Sequence, residues 1–135
     1  MANALYPLYK QRALGAGLDL SSLDVKVVLV DAADYTYSAA HEFLSDVPAG
    51  ARVATSANLG SKTLTNGVFD AADITFTGVS GDQSEALVIY QDTGAAGTSR
   101  LIAYLDTGYT GLPVTPGGGD ILIVWDNGAN KIFAL

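Results

Sequence analysis

The chain has 135 residues, no cysteine and a formal net charge of −7. Its length suits one domain with one core, and the missing cysteines exclude disulfide frameworks, thiolate metal sites and cysteine nucleophiles. The seven Lys and Arg are scattered, which argues against nucleic-acid binding, and no apolar run approaches the roughly 20 residues of a membrane helix.

Charged residues make up 16% and hydrophobic residues 49%, where an ordinary soluble domain carries about 25% charged residues. A small protein with so few charges either exposes apolar surface or buries it against a partner, and large exposed patches usually mark contact sites. The opening M-A-N-A-L-Y lacks a basic n-region and a long apolar h-region, so it does not read as a secretory signal. A soluble chain made in a cytoplasm is expected.

In chain order, residues 4–16 are expected as a helix. Leu5, Leu8, Tyr9 and Arg12 fall at i, i+3, i+4 and i+7, and Gly15 and Gly17 lie near the stop. Pro7 fits only in the first turn, where its missing N–H does no harm. Residues 1–17 read either as a short helix covering a sheet face or as an arm reaching a neighbouring subunit. In both readings Leu5, Tyr6, Leu8 and Tyr9 must dock somewhere, since apolar termini tied to nothing are disordered.

Residues 24–31, D-V-K-V-V-L-V-D, form a strand with a near-continuous apolar character that implies cover on both faces. Residues 33–48 carry Tyr35 and Tyr37, then a turn or two of helix opened by Ser38 as N-cap with His41 and Glu42 nearby. Strands are expected at 52–57 and 61–65. Asn66-Gly67, the strongest hairpin signal in the chain, joins the second of these to a return strand at 68–69. Residues 74–78 alternate Ile74 and Phe76 with Thr75 and Thr77, which predicts one buried and one wet face.

Residues 85–108 organise the chain. They hold two apolar runs that each end in Asp-Thr-Gly, joined by the short linker A-A-G-T, and they read as a central hairpin. Val88, Tyr90, Ile102 and Tyr104 are expected on one face, with Leu87, Ile89, Leu101 and Ala103 on the other. One face should meet an opposite sheet, and the N-terminal helix or a neighbouring subunit should cover the other. Residues 109–119, with Gly111, Pro113, Pro116 and three consecutive glycines, read as a long contact loop. Residues 120–125, D-I-L-I-V-W, read as an interior strand, 126–128 as a turn and 131–133 as a last short strand. The sum is a mainly β chain, one domain over residues 1–135, forming a β-sandwich or barrel of about eight or nine strands with a short N-terminal helix.

Catalytic chemistry is nearly absent. His41 is the only histidine, and it reads as a surface or capping residue rather than a general base. The aspartates Asp31, Asp34, Asp70, Asp73, Asp82, Asp92, Asp106 and Asp126 fall at strand ends, where Asp serves turn chemistry, and no D-x-D-x-D-G loop suggests calcium. Gly117-Gly118-Gly119 precedes a strand, whereas a phosphate cradle needs a helix N-terminus behind it. No enzyme, cofactor or metal is expected. Tyr35, Tyr37 and Tyr109, in loops, are candidates for contacts.

Several stretches together carry a resemblance. They are M-A-N-A-L-Y, V-D-A-A-D-Y-T, F-L-S-D-V-P-A-G-A-R-V-A-T-S, G-V-F-D-A-A-D-I-T-F-T-G-V-S-G-D-Q-S-E-A-L-V-I-Y-Q-D-T-G and T-G-L-P-V-T-P-G-G-G-D-I-L-I-V-W-D-N-G-A-N-K-I-F-A-L. Over almost its whole length the chain resembles a family of small tailed-bacteriophage structural proteins. The resemblance implies a virion component, with no catalytic or ligand-binding residue to carry over. A small, acidic, cysteine-free β-domain in that setting suits a capsid decoration (cement) protein on the capsid exterior, made in the bacterial host cytoplasm. Its expected partner is the major capsid protein, and a homo-oligomer, with a trimer favoured, is expected. Such proteins clamp adjacent capsid subunits through many copies of a standard-sized interface. The candidate contact residues are Leu5, Tyr6, Leu8, Tyr9, Tyr35, Tyr37, Tyr109, Leu112 and Val114, with Arg52 and Arg100 as polar anchors. The alternative is a tail, fibre or adaptor component that binds a host receptor or glycan.

Overall fold

Three six-residue runs, V-K-V-V-L-V, A-L-V-I-Y-Q and R-L-I-A-Y-L, supply the central strands. Their β-branched and aromatic side chains suit a pleated sheet buried on both faces. A computed structural model describes residues 3–15, 19–107, 112–125, 128 and 131–135. Among these residues the elements are β1 (Ala4–Leu5), α1 (Pro7–Leu14), β2 (Val25–Val30), β3 (Arg52–Thr55), β4 (Val68–Phe69), β5 (Ile74–Phe76), β6 (Ala86–Gln91), β7 (Arg100–Leu105), β8 (Ile121–Ile123) and β9 (Phe133–Ala134). The protein is mainly β with one short N-terminal helix. The described strands form a five-stranded antiparallel sheet, β1-β7-β6-β2-β3, and two ribbons, β4-β9 and β5-β8. They form no closed barrel, and the arrangement is sandwich-like.

The register fixes which side chains share a face. Ala4, Tyr104, Val88 and Val28 lie in one row across the large sheet, and Leu5, Ala103, Ile89 and Val27 lie in the next, on the opposite face. A register shift between Ile89 and Tyr90 sets Leu101 opposite Tyr90, so the expected grouping of Tyr90 with Ile102 is not kept. Val27, Val28, Val88 and Ile89 are all 0% exposed. Full burial of such a side chain stabilises the fold by about 1.5–3 kcal/mol relative to exposure.

The two faces acquire different covers. On the Ala103 face, Leu5 and Leu105 line one cleft with Ile132 and Phe133, and Phe133 stacks on Phe69 with centroids 5.1 Å apart. The β4-β9 ribbon is thus part of the second layer there. On the Tyr104 face the cover is the segment 32–47, whose Tyr35 and Tyr37 rings lie 6.2 and 5.8 Å from the Tyr104 ring. The chain covers both faces itself, so the hairpin needs no neighbouring subunit.

Several expectations are corrected in detail. The N-terminal helix spans Pro7–Leu14 and not 4–16. Ala4 and Leu5 instead form an edge strand paired with Tyr104 and Ala103, because the unpaired edge of β7 offers the backbone partners that Pro7 prevents a longer helix from using. Pro7 does sit in the first turn. Ser38 opens a turn and not a helix: its Oγ accepts the Ala40 N–H at 3.2 Å, and helical turns come only later, as the 3-10 segments Leu44–Asp46 and Ala49–Ala51. Residues 61–65 contribute a single bridge, Thr63 to Asp70. The Asn66-Gly67 turn is present, with φ of 56° and 76°, the left-handed pair that tight hairpin turns demand. β8 is not interior: among the described residues it pairs only with β5, and Leu122 and Val124 are 57% and 41% exposed.

Ile89→Ala should lower the unfolding free energy by about 2–5 kcal/mol, the cost of a core cavity, whereas Leu122→Ala should stay within about 0.5 kcal/mol. Urea denaturation of both variants measures the contrast.

Candidate functional site

The side chains with polar chemistry gather over the Tyr104 face. Tyr6 follows β1 and continues its pairing, its N–H donating to the Ile102 carbonyl at 3.0 Å. The alternation along the strand then puts its ring on the same face as Ala4 and Tyr104. The Tyr6 and Tyr35 hydroxyls are hydrogen-bonded at 2.8 Å, and the Tyr35 hydroxyl is 2.9 Å from His41 Nδ1. The Tyr6 and Tyr37 centroids are 5.0 Å apart, and the Tyr35 ring stacks on the His41 imidazole at 5.4 Å. The Tyr37 hydroxyl donates a long contact of 3.5 Å to the Leu5 carbonyl. Four tyrosines and the sole histidine therefore form one cluster.

The cluster is held at its far end by backbone pairing. Glu42 and Phe43 run along the edge of β7, with the Leu101 N–H donating to the Glu42 carbonyl at 2.9 Å and the Leu44 N–H to the Ser99 carbonyl at 2.8 Å. Arg100 Nη1 meets Glu42 Oε1 at 2.5 Å, and its guanidinium lies 5.0 Å from the centre of the Phe43 ring. The Asp46 carboxylate accepts the Glu42 and Phe43 N–H groups at 2.9 and 3.0 Å.

Burial sets the electrostatics. It pushes the Tyr6 hydroxyl far above its ordinary range, and the bond to Tyr35 adds to the shift. Burial likewise raises Tyr35. Burial and then the neighbouring Asp106 carboxylate push Tyr104 up to about 12. These phenols stay neutral at ordinary pH, so they act as hydrogen-bonding and packing groups and not as bases or nucleophiles.

A groove opens on this face. It encloses about 330 Å³ and is lined by Ala32, Tyr35, Thr36, Tyr37, Glu85, Tyr104 and Asp106. Beside it lie Asp31, Asp34 and Asp82, whose carboxylate oxygens fall within 4.8 Å of one another. Asp31 Oδ1 accepts the Ala33 N–H at 2.8 Å, and the Asp34 N–H reaches the Asp31 carbonyl at 3.1 Å. That is ordinary turn chemistry, and three carboxylates alone fall short of the six to eight oxygens that calcium takes.

The structure brings together Tyr6, Tyr35 and Tyr37 from the expected contact residues, though Tyr6 at 0% and Tyr35 at 4% exposure face inward. Tyr9 is also buried, its ring 6.1 Å from that of Phe133. Burial withholds these rings from direct contact with a partner, because they serve the chain's own core. Leu5 is half-buried against that core. Leu8 and Arg100 line one cleft with Glu42. Arg52 is engaged by its own chain, its Nε donating to the Val47 carbonyl at 2.9 Å. Val114 pairs through its backbone with Ser84 at 2.8 and 2.9 Å, and Leu112 is half-buried. Tyr109 lies outside the described residues. Sequence reasoning missed Glu85, Asp106 and the engagement of His41. The strand-end positions of Glu85 and Asp106 were visible, whereas nothing in the linear sequence links His41 to Tyr6.

No family model matches the chain, and no curated protein is detectably similar to it.

Tyr6→Phe should lower stability by about 1 kcal/mol through loss of one buried hydrogen bond, and Tyr6→Ala by about 3–5 kcal/mol through the added cavity. Urea unfolding decides; a Tyr6→Ala cost well below that of Tyr6→Phe would show that this ring does not dock. A second expectation concerns pH. Asp46 is held below the ordinary 3.8 by its two backbone N–H bonds, and Asp92 by its bond and ion pair to Lys26 at 2.9 Å. Both groups bind protons more weakly folded than unfolded, so their contribution is complete above 3.8 and is lost as pH falls through the lower folded values. The urea midpoint should drop in that window, and less steeply in Asp46→Asn.

Proposed function

We propose that this chain is a bacteriophage virion structural protein that decorates the outer surface of the major capsid protein as a homo-oligomer. The resemblance of its sequence to small tailed-phage structural proteins supports the phage assignment. The structural observation that carries the contact role is the mismatch between core and surface. The core is complete within one chain, yet large apolar side chains remain outside, with Leu14 at 87%, Leu135 at 61% and Leu122 at 57% exposure. Exposed leucines on a chain with so few charges fit a protein that works while packed against others. The chemistry on view is packing and hydrogen bonding, which suits a clamp across subunit joints.

The N-terminal segment cannot serve as a detachable arm in this reading, because β1, Tyr6 and Tyr9 belong to the domain's own sheet and core. Deleting it would unfold the domain and would not isolate a contact. The informative variants are at the exposed leucines. Leu14→Glu and Leu122→Glu should leave thermal unfolding within about 0.5 kcal/mol of the parent and lower the occupancy of purified particles. Gel densitometry of virions checks both this and the class of role. A copy number that tracks the capsid lattice supports decoration; one matching a single tail assigns the chain to a tail or fibre instead.

A further inference from the structure

We infer that the tyrosine-lined groove at the end of the large sheet receives an arginine or lysine side chain from an extended segment of the partner protein. The inference rests on the reading that the chain docks on another protein, and it specifies the chemistry of that contact.

The topology builds the groove. β2 leaves the sheet at Val30, β6 enters at Ala86 and β7 leaves at Leu105, so antiparallel pairing brings the residues beyond these points to one end. Those residues are Asp31 and Asp34 after β2, Asp82 and Glu85 before β6, and Asp106 after β7. The ion pairs of Lys26 with Asp92 and Arg100 with Glu42 sit at the other end of the same strands. Arg52, opposite Val30 in the sheet, directs its Nε to the Val47 carbonyl. The five carboxylates named at this end therefore outnumber the one cation placed there, Arg52, and leave it net negative, with half-buried Glu85 in the wall of the groove.

The groove's own chemistry selects the occupant. Its walls hold the Glu85 carboxylate, the Asp106 carboxylate, which already accepts the Thr107 hydroxyl at 2.9 Å, and the aromatic surface of half-buried Tyr37. Carboxylates accept forked hydrogen bonds from a guanidinium, and a tyrosine ring attracts a cation. Glu85 is already oriented, since its Oε2 accepts the Ala32 N–H at 3.0 Å. A volume of about 330 Å³ admits a long side chain while remaining open to an extended backbone. A sugar ring would need a broad exposed aromatic face, and with Tyr35 and Tyr104 exposing only 4% and 3% the groove has only the half-buried Tyr37 ring to give it.

The test is a nitrogen-15 NMR titration of the full chain with acetyl-Gly-Arg-Gly-amide, the same peptide with citrulline in place of arginine, and lactose. Saturable shifts at the amides of Ala32, Tyr37 and Glu85 are expected with the arginine peptide alone, and high salt should suppress them. Glu85→Gln keeps an acceptor for the Ala32 N–H, and its thermal unfolding should match the parent. It should weaken peptide binding by roughly tenfold, the loss of one charge-assisted bond, and Tyr37→Leu should weaken it too. Three results would overturn the inference: no saturable shift, equal shifts around Asp24 and Asp92, or a response to lactose and not to arginine. Peptide binding by a chain that fails to associate with particles keeps the groove and retires the capsid reading. Particle occupancy that survives Glu85→Gln with no peptide response retires the groove alone.

Discussion

A sheet that is apolar on both faces must be covered twice, and that requirement shapes this domain. The strands β2, β6 and β7 offer water almost nothing: from Ala86 to Tyr90 and from Leu101 to Leu105 every residue is buried. Leaving either face open would forfeit several large side chains' worth of hydrophobic stabilisation. One face is packed by residues of the ribbon layer. For the other it uses a strap of residues 32–47 whose backbone is irregular. An irregular strap over a core must still satisfy its N–H and C=O groups. It does so by running Glu42 and Phe43 along β7, where Leu101 and Ser99 provide the partners. The same contact, together with β1, occupies the outer edge of β7, which would otherwise be a template for unwanted strand pairing.

The tyrosines follow from that solution. Phenylalanines could have filled the space, but the strap and the N-terminal segment come from distant parts of the chain and need a fixed mutual position. Hydroxyls supply it, because a buried O–H without an acceptor is costly. In the chain from Tyr6 through Tyr35 to His41, two O–H groups meet two acceptors when Nδ1 carries no proton. The order Tyr6 to Tyr35 to His41 is then satisfied throughout, and it ties β1, the strap and the turn beyond Ser38 into one unit.

Much of this was legible in the amino-acid order. Strands backed by near-continuous apolar runs, such as 25–30 and 86–91, announce themselves because burial on both faces leaves only Lys26 and Gln91 to confuse the period. Asn66-Gly67 announces its turn because few residues accept a positive φ. What escaped was non-local. Ala4 and Leu5 become a strand only because Tyr104 and Ala103, a hundred residues on, present a free edge, and two residues are too few to carry a period. Leu122 and Val124 misled for the opposite reason: an apolar residue in a strand states a preference for burial but does not say whether a partner within the chain will meet it. The polar cluster was half visible. Tyr35 and Tyr37 stood out as loop aromatics, yet their role is set by Tyr104 and Tyr6, which only the register of β7 with β1 brings beside them.

Once both sheet faces are covered from within, what remains outside needs its own account. Leu64 and Leu135 line an apolar cleft with Tyr9 and Phe133, while Leu122 stands on β8 and Val124 just beyond its end. A monomer gains nothing from these side chains in water. The charge distribution adds direction. The end of the large sheet that holds Lys26 and Arg100 has its cations matched by Asp92 and Glu42, and the opposite end sets five carboxylates against Arg52 around an aromatic groove. A small domain with that asymmetry approaches a charged surface in a preferred orientation, since the field acts over about 8 Å at physiological salt before contacts form. Orientation by charge and adhesion by apolar contact are separable contributions, the first acting on encounter and the second on release. In the proposed decoration role the two would combine: fast, oriented arrival at each of many equivalent positions, and slow departure once the exposed leucines pack against the partner.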